Sequence, residues 1–148
     1  MPPKKKDVGK GPDGAIAAEE ITREEVGVFH FADGAKYDGQ VLRKDGTIRR
    51  HGAGVFFDGS AVLDGAWVED QLTGEGTATF YSGATYTGTF YQSAFNGRGK
   101  YAWPDGTHYV GQWRHNRMHG EGVYVDAQGR RWNGRFYDGQ GVHLVEEM

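Results

Sequence analysis

The side chains that could do chemistry in this chain are its histidines and its repeated aspartates. His115 and His119 have a spacing that zinc ligands use on a helix. Here they fall in a polar connection, so they do not share a helical face, and His119 is expected to be structural. The chain has no Cys, and its aspartates cluster at turns, where a carboxylate bonds nearby backbone. We therefore expect no catalytic residues, no metal site and no cofactor.

Closely spaced glycines could also carry chemistry, because glycine-rich loops bind phosphate groups. The Gly-x-Gly motif lacks the strand–loop–helix setting and the lysine of a phosphate loop. Instead it keeps step with a second motif, aromatic-x-Gly-x-aromatic, as in Tyr109-x-Gly111-x-Trp113. The Gly-x-Gly pairs are Gly52/Gly54, Gly74/Gly76, Gly97/Gly99 and Gly120/Gly122.

The spacing of these motifs shows an internal repeat. The central glycines of the second motif lie at positions 39, 65, 88, 111 and 134, so successive spacings are 26, 23, 23 and 23. A turn glycine, often preceded by Asp as in Asp105-Gly106, comes five residues before most of them. Three landmarks with one period indicate a repeat architecture.

Each repeat has the pattern of two β-strands. In the motif around Gly111 the rings and the glycine alternate with other, mostly polar residues, which predicts one packed and one solvent-facing side. Asp-Gly predicts a turn between strands, because it accepts positive φ. A central glycine leaves room for a ring to lie over the backbone. The sequence therefore predicts an all-β fold, a single-layer antiparallel β-hairpin solenoid of about 10 to 12 strands with a concave ring-lined face.

The composition limits the classes of function. Gly accounts for 25 of 148 residues and aromatic residues for 14%, which favours strands packed through rings over a disordered chain. The net charge of −3 predicts no nucleic-acid binding. No apolar run approaches the roughly 18 residues of a membrane span. The N-terminal residues lack the apolar segment of a signal peptide, so we expect a cytoplasmic protein.

These motifs resemble those of the MORN family (membrane occupation and recognition nexus). Its pattern is Tyr-x-Gly-x-Trp, a polar stretch, His-Gly-x-Gly, an aromatic residue and Asp-Gly. The most similar segment here is Tyr109-Val110-Gly111-Gln112-Trp113, followed by His119-Gly120-Glu121-Gly122-Val123-Tyr124. The resemblance covers residues 26–141 and implies four full repeats and two partial ones. It is specific for the fold and weak for the function.

Three segments are predicted. Residues 1–25 form a basic N-terminal arm in which residues 14–25 have helix propensity. Residues 26–141 form the repeat array, and residues 142–148 form a C-terminal tail that either finishes the sheet or pairs with a partner. In the first full repeat, 13 residues separate Gly39 from Gly52, against 9 in the next three. This insertion predicts a longer, basic hairpin tip.

Candidate contact residues follow from the repeat. The rings could bind an extended segment or a helix of a partner, or they could pack between repeats, and the sequence leaves both open. These rings are Tyr37, Trp67, Tyr86, Phe90, Tyr109, Trp113, Trp132 and Phe136. Basic contacts are predicted at Lys4, Lys5, Lys6, Arg49 and Arg50, with Arg130 and Arg131 as further surface cations.

The resemblance also implies a function. Small MORN proteins often belong to axonemal assemblies such as radial spokes, so we expect a non-catalytic scaffold or adaptor for protein–protein interactions in the cytoskeleton of a cilium or flagellum. One alternative is a module that binds phosphoinositides or another anionic membrane surface through its basic residues. Another is a homo-oligomeric cytoskeletal scaffold whose solenoid ends meet end to end.

Overall fold

The computed structural model describes residues 22–148, and within them all regular structure is β-strand. Eleven strands follow one another along the chain. They are β1 (Thr22–His30), β2 (Lys36–Lys44), β3 (Thr47–Phe57), β4 (Ala61–Val68), β5 (Gln71–Phe80), β6 (Thr85–Tyr91), β7 (Ala94–Ala102), β8 (His108–Arg114), β9 (Arg117–Val125), β10 (Arg131–Tyr137) and β11 (Gln140–Glu146). No helix in the described part of the chain could span a membrane.

The strands form one open sheet in which each strand pairs antiparallel with the next. The predicted hairpin solenoid is thereby confirmed. The sheet extends beyond the predicted array at both ends. Residues 22–25, assigned from sequence to a possible helix, lie in β1, because they pair with Val41–Lys44 of β2. Residues 142–146 finish the sheet as part of β11, which pairs with β10. The arm over residues 1–21, with Lys4, Lys5 and Lys6, lies outside the described residues.

Tight two-residue turns form the hairpin tips at one edge of the sheet. In His115-Asn116 both residues have positive φ, at 47° and 68°, and Glu69-Asp70 adopts the same conformation. Positive φ at both positions matches the right-handed twist of the flanking strands. The insertion in the first full repeat lengthens β2 and β3, which meet at Asp45-Gly46. The predicted longer basic tip is thus a longer hairpin.

Wider turns at the opposite edge join one repeat to the next. The Asp-Gly pairs that the sequence marked as turns lie here. In the turn at Asp105, Oδ1 accepts hydrogen bonds from the backbone N–H and the hydroxyl of Thr107, at 2.9 and 2.6 Å. These bonds lower the pKa of Asp105 below its ordinary value. The aspartate therefore holds the loop, while Gly106 supplies the positive φ of 90°.

Each complete hairpin contains one bulge, formed by the first glycine of Gly-x-Gly. The register between β8 and β9 shifts between Gly111 and Trp113, and Gly120 has a φ of 102°. The side chain of Gln112 fills the space beside Gly120, and its Oε1 accepts the backbone N–H of Glu121 at 2.9 Å. The Gly-x-Gly motif therefore encodes a recurring backbone distortion. At Gly52, Gly97 and Gly120 a side chain of the preceding strand lies beside it.

The sheet has two unlike faces. The first, which we call the ring face, carries Tyr37, Tyr86, Tyr109 and the other buried rings, and the core lies on it. The second, which we call the polar face, carries the residues that alternate with them, such as Asp38 and Thr87. Because the sheet is a single layer, side chains of neighbouring strands shield its core from solvent, and no second layer within residues 22–148 covers it.

Candidate functional site

The ring face is built from tyrosines that lie directly over glycines. In β6, the Tyr86 ring covers Gly99 of β7, where an added Cβ would be only 2.3 Å from the tyrosine oxygen. The Tyr86 hydroxyl donates a hydrogen bond to the carbonyl of Thr89 at 2.8 Å. Trp113 of the next repeat reaches the same glycine, and its indole N–H donates to the Gly99 carbonyl at 3.0 Å. A side chain at position 99 would displace the Tyr86 ring.

The same arrangement recurs along the sheet. Tyr37 lies over Gly54, and the indole N–H of Trp67 donates to the Gly54 carbonyl at 3.0 Å. The Tyr37 and Trp67 rings meet edge to face at 5.8 Å, as those of Tyr86 and Trp113 do at 5.5 Å. At these two junctions one repeat is therefore held to the next through one glycine.

Most rings that the sequence proposed as partner contacts are buried in this stack. Seven of the eight rings have exposed fractions between 0% and 7%, and the eighth, Trp132, is half-buried. Burial raises the pKa of Tyr37 and of Tyr109 to about 12 and that of Tyr86 still further above the ordinary 10. Of the two roles left open by the sequence, the structure shows packing between repeats at seven positions: Tyr37, Trp67, Tyr86, Phe90, Tyr109, Trp113 and Phe136.

Two basic residues of the long hairpin, Arg49 and Arg50, are held by the next tip. Arg50 bonds the side chain and the carbonyl of Asp70 and lies 4.5 Å from the ring centres of both Phe56 and Trp67. Arg49 forms an ion pair with Glu69. Arg50 therefore stabilises the junction between two repeats. At the other end, Arg130 pairs with Asp126 and Arg131 with Glu147.

A groove of half-buried rings is an accessible part of the ring face. It encloses about 290 Å³ and crosses the strands from β5 to β9. Phe80 and Tyr101 meet at 6.3 Å, and Trp103 lies 4.9 Å from Tyr101. We call this surface the ring groove. Its lining residues are Phe80, Phe95, Tyr101, Trp103, Trp113, Asn116, Arg117, Met118 and Gly139.

Sequence reasoning missed most of the ring groove. It selected rings around the central glycines, which lie on the even-numbered strands. Phe95 and Tyr101 lie on the odd-numbered strand β7, and Trp103 follows it directly. The available signal was the aromatic residue after each Gly-x-Gly, such as Tyr101 and Tyr124, which belongs to the same face by strand alternation.

The histidines form no metal site with other residues of the described part of the chain, where no cluster of three or more His, Asp or Glu could hold an ion. His115 lies in a hairpin tip, in the predicted connection, but His119 lies in strand β9 and not in that connection. His119 is half-buried, and its Nδ1 lies 3.4 Å from the backbone nitrogen of Asp138 and 3.6 Å from the carboxylate of that residue. His51 faces the tip residue Glu69 in the same way, at 3.4 Å from its backbone nitrogen. Both histidines therefore lie at junctions between repeats.

Comparison with protein families identifies the repeat. The MORN repeat model matches residues 64–85, 86–108 and 109–129, one after another. The chain therefore contains three consecutive MORN repeats, and the strands on either side continue the same sheet. Comparison with curated proteins gives no significant match.

Proposed function

We propose that this protein is a non-catalytic adaptor that binds a partner protein through the ring groove. The observation that carries the proposal is the contrast within the ring face, where the stacked rings are sealed but Phe80, Tyr101 and Trp103 stay half-buried. Accessible rings in a concave, apolar surface are typical anchors of protein interfaces. A solenoid presents such a surface on a rigid sheet, which suits a scaffold.

The lining of the ring groove indicates the kind of partner segment. Its floor is aromatic, with Met118 as a flexible apolar neighbour, and Asn116 and Arg117 lie at the hairpin-tip side. Apolar side chains of an extended segment or a helix could insert among the rings while a polar or acidic residue meets Arg117. The adaptor would therefore recognise a short amphipathic segment.

We further propose that this adaptor belongs to the axoneme of a cilium or flagellum, for example to a radial spoke, and that its partners are cytoskeletal proteins. It rests on the resemblance to small MORN proteins of such assemblies. The endogenous protein, fluorescently tagged, should concentrate along axonemes and remain with them after detergent extraction. Exclusion from cilia would contradict the assignment while leaving protein binding through the ring groove open.

Substitution of Trp103 tests the ring groove itself. Trp103→Ala should reduce recovery of crosslinked partners at least about tenfold, since loss of one aromatic anchor commonly costs more than 1.4 kcal/mol. Tyr81→Ala is the matched control, because Tyr81 is 92% exposed and lies outside the groove. Tyr81→Ala should retain the wild-type melting temperature, whereas Trp103→Ala also loses its contacts with Tyr101 and Tyr124, so binding is compared well below its melting temperature with an unchanged strand signal in circular dichroism. Equal recovery with wild type and Trp103→Ala would reject the ring groove as the contact.

A further inference from the structure

Charge is segregated over the central strands β4 to β7 of the polar face. Asp64 of β4 and Glu75 of β5 are exposed on the N-terminal side of β6, whereas Arg98 and Lys100 of β7 are exposed on its C-terminal side. The registers place all four on the face opposite the buried rings, because they pair with other residues of the polar face. A chain with a net charge of −3 thus carries an acidic and a basic patch on one surface.

These four charged groups are not used within the fold. In residues 22–148 none of them forms an ion pair or a side-chain hydrogen bond. Several other charged residues of the sheet are paired across neighbouring hairpins, as Arg50 is with Asp70 and Arg43 with Glu25. The unpaired groups therefore remain available to an outside partner with the opposite arrangement of charge.

The strip between the two patches allows a close approach. It is formed by β5 and β6, whose polar-face positions hold small threonines, among them the exposed Thr77, Thr79 and Thr87. Threonine is short and β-branched, so it gives an even sheet surface without large protruding side chains. A second sheet could pack against this strip at the usual spacing of about 10 Å.

We propose that the polar face binds a second copy of this chain, turned so that the acidic patch of each copy covers the basic patch of the other. The two-fold axis lies between the sheets, parallel to the strands and over β6, so that β5 lies against β7 of the second copy. Glu75 then faces Arg98 of the second copy, Asp64 comes within reach of its Lys100, and symmetry repeats both contacts. Each copy carries both an acidic and a basic patch. A second copy is therefore the partner whose charges are complementary to this face.

The area of the face is sufficient for such a dimer. Seven strands at about 4.8 Å and seven residues at about 3.4 Å each cover roughly 800 Å² per copy, which equals the share of each partner in a standard interface. The span from β3 to β9 also brings Val55 over Val123 of the second copy, since both are half-buried at the same level of the sheet. The contact is nevertheless mainly ionic, so it should weaken as salt is added.

The dimer is independent of the ring groove, which lies on the other face. Sedimentation equilibrium of the full chain at low ionic strength should give twice the monomer mass at the higher protein concentrations, and added salt should return it towards the monomer. The Trp103→Ala variant should dimerise as the wild type does. A wild-type protein that stays monomeric at every soluble concentration in low salt would overturn the proposal.

Charge reversal with complementation locates the surface. The variants Asp64→Lys/Glu75→Lys and Arg98→Glu/Lys100→Glu should each be monomeric, because like charges then face one another. An equimolar mixture of the two should regain the dimer mass, since opposite charges meet again at both patches. Matched charge changes away from the patches, Asp45→Lys and Arg23→Glu, should leave the wild-type dimer intact.

The results separate this surface from other routes to a dimer. Charge-reversed variants that dimerise like the wild type would overturn it and would point to the sheet edges, where Val26 is 76% and Val145 67% exposed. A mixture that fails to dimerise would also overturn it. If a reversed variant loses its strand signal in circular dichroism, the neutral pair Arg98→Gln/Lys100→Gln should still reduce both the dimer fraction and its dependence on salt.

Discussion

The middle of the sheet and its C-terminal end use the same repeat in different ways. In the middle, Tyr86 lies over Gly99 and Trp113 bonds the carbonyl of that glycine. At the end, Leu144 of β11 lies over Gly134 and Gly141, and it replaces a ring with a flexible aliphatic side chain. The ring stack therefore ends at Phe136 of β10, one strand before the sheet does.

The tryptophans show the same difference. Trp113 is buried and its indole N–H donates to a backbone carbonyl, whereas the indole N–H of Trp132 donates to the carboxylate of Asp126 in a turn, at 3.0 Å. The middle therefore depends on close contact between rings and backbone, and the end depends on polar contacts near solvent. This contrast predicts that one kind of substitution has unlike effects in the two regions.

A methyl group added to a glycine should give the largest contrast. Gly99→Ala places Cβ 2.3 Å from the Tyr86 hydroxyl oxygen, which is held by its own hydrogen bond. We expect a loss of at least about 3 kcal/mol in the free energy of unfolding, at the upper end of overpacking costs. Gly141→Ala meets only the Leu144 side chain within 3.1 Å, and a rotamer change should limit the loss to about 1 kcal/mol. Urea denaturation measures both.

A second substitution tests whether the tyrosine ring is the cause. In the Gly99→Ala background, Tyr86→Leu should recover part of the lost stability, because the shorter side chain removes the clash. In the wild-type background the same change should be destabilising, since the smaller side chain leaves a cavity in the core. Two losses that simply add would show that the ring does not limit position 99. Equal losses for Gly99→Ala and Gly141→Ala would remove the contrast between the regions.

The tryptophan pair should give the next largest difference. Trp113→Phe leaves the buried Gly99 carbonyl without its indole donor and shortens a core side chain, so we expect a loss of about 2–3 kcal/mol. Trp132→Phe removes a bond to a turn carboxylate that solvent can reach, and its cost should stay near 1 kcal/mol. Thermal unfolding followed by circular dichroism compares them. A larger loss from Trp132→Phe would place the critical indole bond at the C-terminal end.

The repeat landmarks explain how much of the fold could be predicted. Gly88 and Gly111 mark the register because no other residue fits under the facing backbone, where an added Cβ would lie 2.4–2.5 Å from the glycine opposite. Such a constraint is local, so it can be recognised in a single sequence. The bounds of the sheet could not be predicted, because β1 and β11 lack the full motif and form by pairing with a neighbouring strand.

The candidate site was harder to predict for a different reason. Alternation assigned Tyr86 and Trp113 to one face correctly, but it does not tell a sealed ring from an accessible one. Burial of Tyr86 depends on Phe95 of the adjoining strand, which stacks on it at 3.9 Å. Exposure of Trp103 depends on its position near the wide-turn edge, beyond the last residue of β7. Both are properties of neighbouring strands, which the pattern within one strand does not contain.

Acid should weaken the C-terminal end at Asp126. The indole N–H of Trp132 is the main cause that lowers the pKa of Asp126 from 3.8 to about 2, and hydrogen bonds from Arg130 and Gln128 contribute. Because the folded-state pKa is depressed, this stabilisation is fully present above pH 3.8 and is lost as the pH falls through about 2. Asp126→Asn should lower the melting temperature at neutral pH, and its difference from wild type should shrink across that window. A difference that is constant with pH would show that the ionised carboxylate is not what matters.

The smallest expected effect lies at the hairpin tips. Asn116 in the middle accepts the backbone N–H of Phe95 at 2.8 Å through its side chain, whereas the corresponding tip residue at the end is Gly139. Asn116→Gly makes the middle tip resemble the end tip and removes this hydrogen bond, but it also relieves a left-handed residue with a φ of 68°. The two effects oppose each other, so the net loss should be below about 1 kcal/mol. Asn116→Ala removes the same bond without relieving the backbone and should cost more. If both variants cost the same in urea denaturation, the left-handed conformation contributes nothing, and the glycine at the end tip has no conformational advantage over the asparagine in the middle.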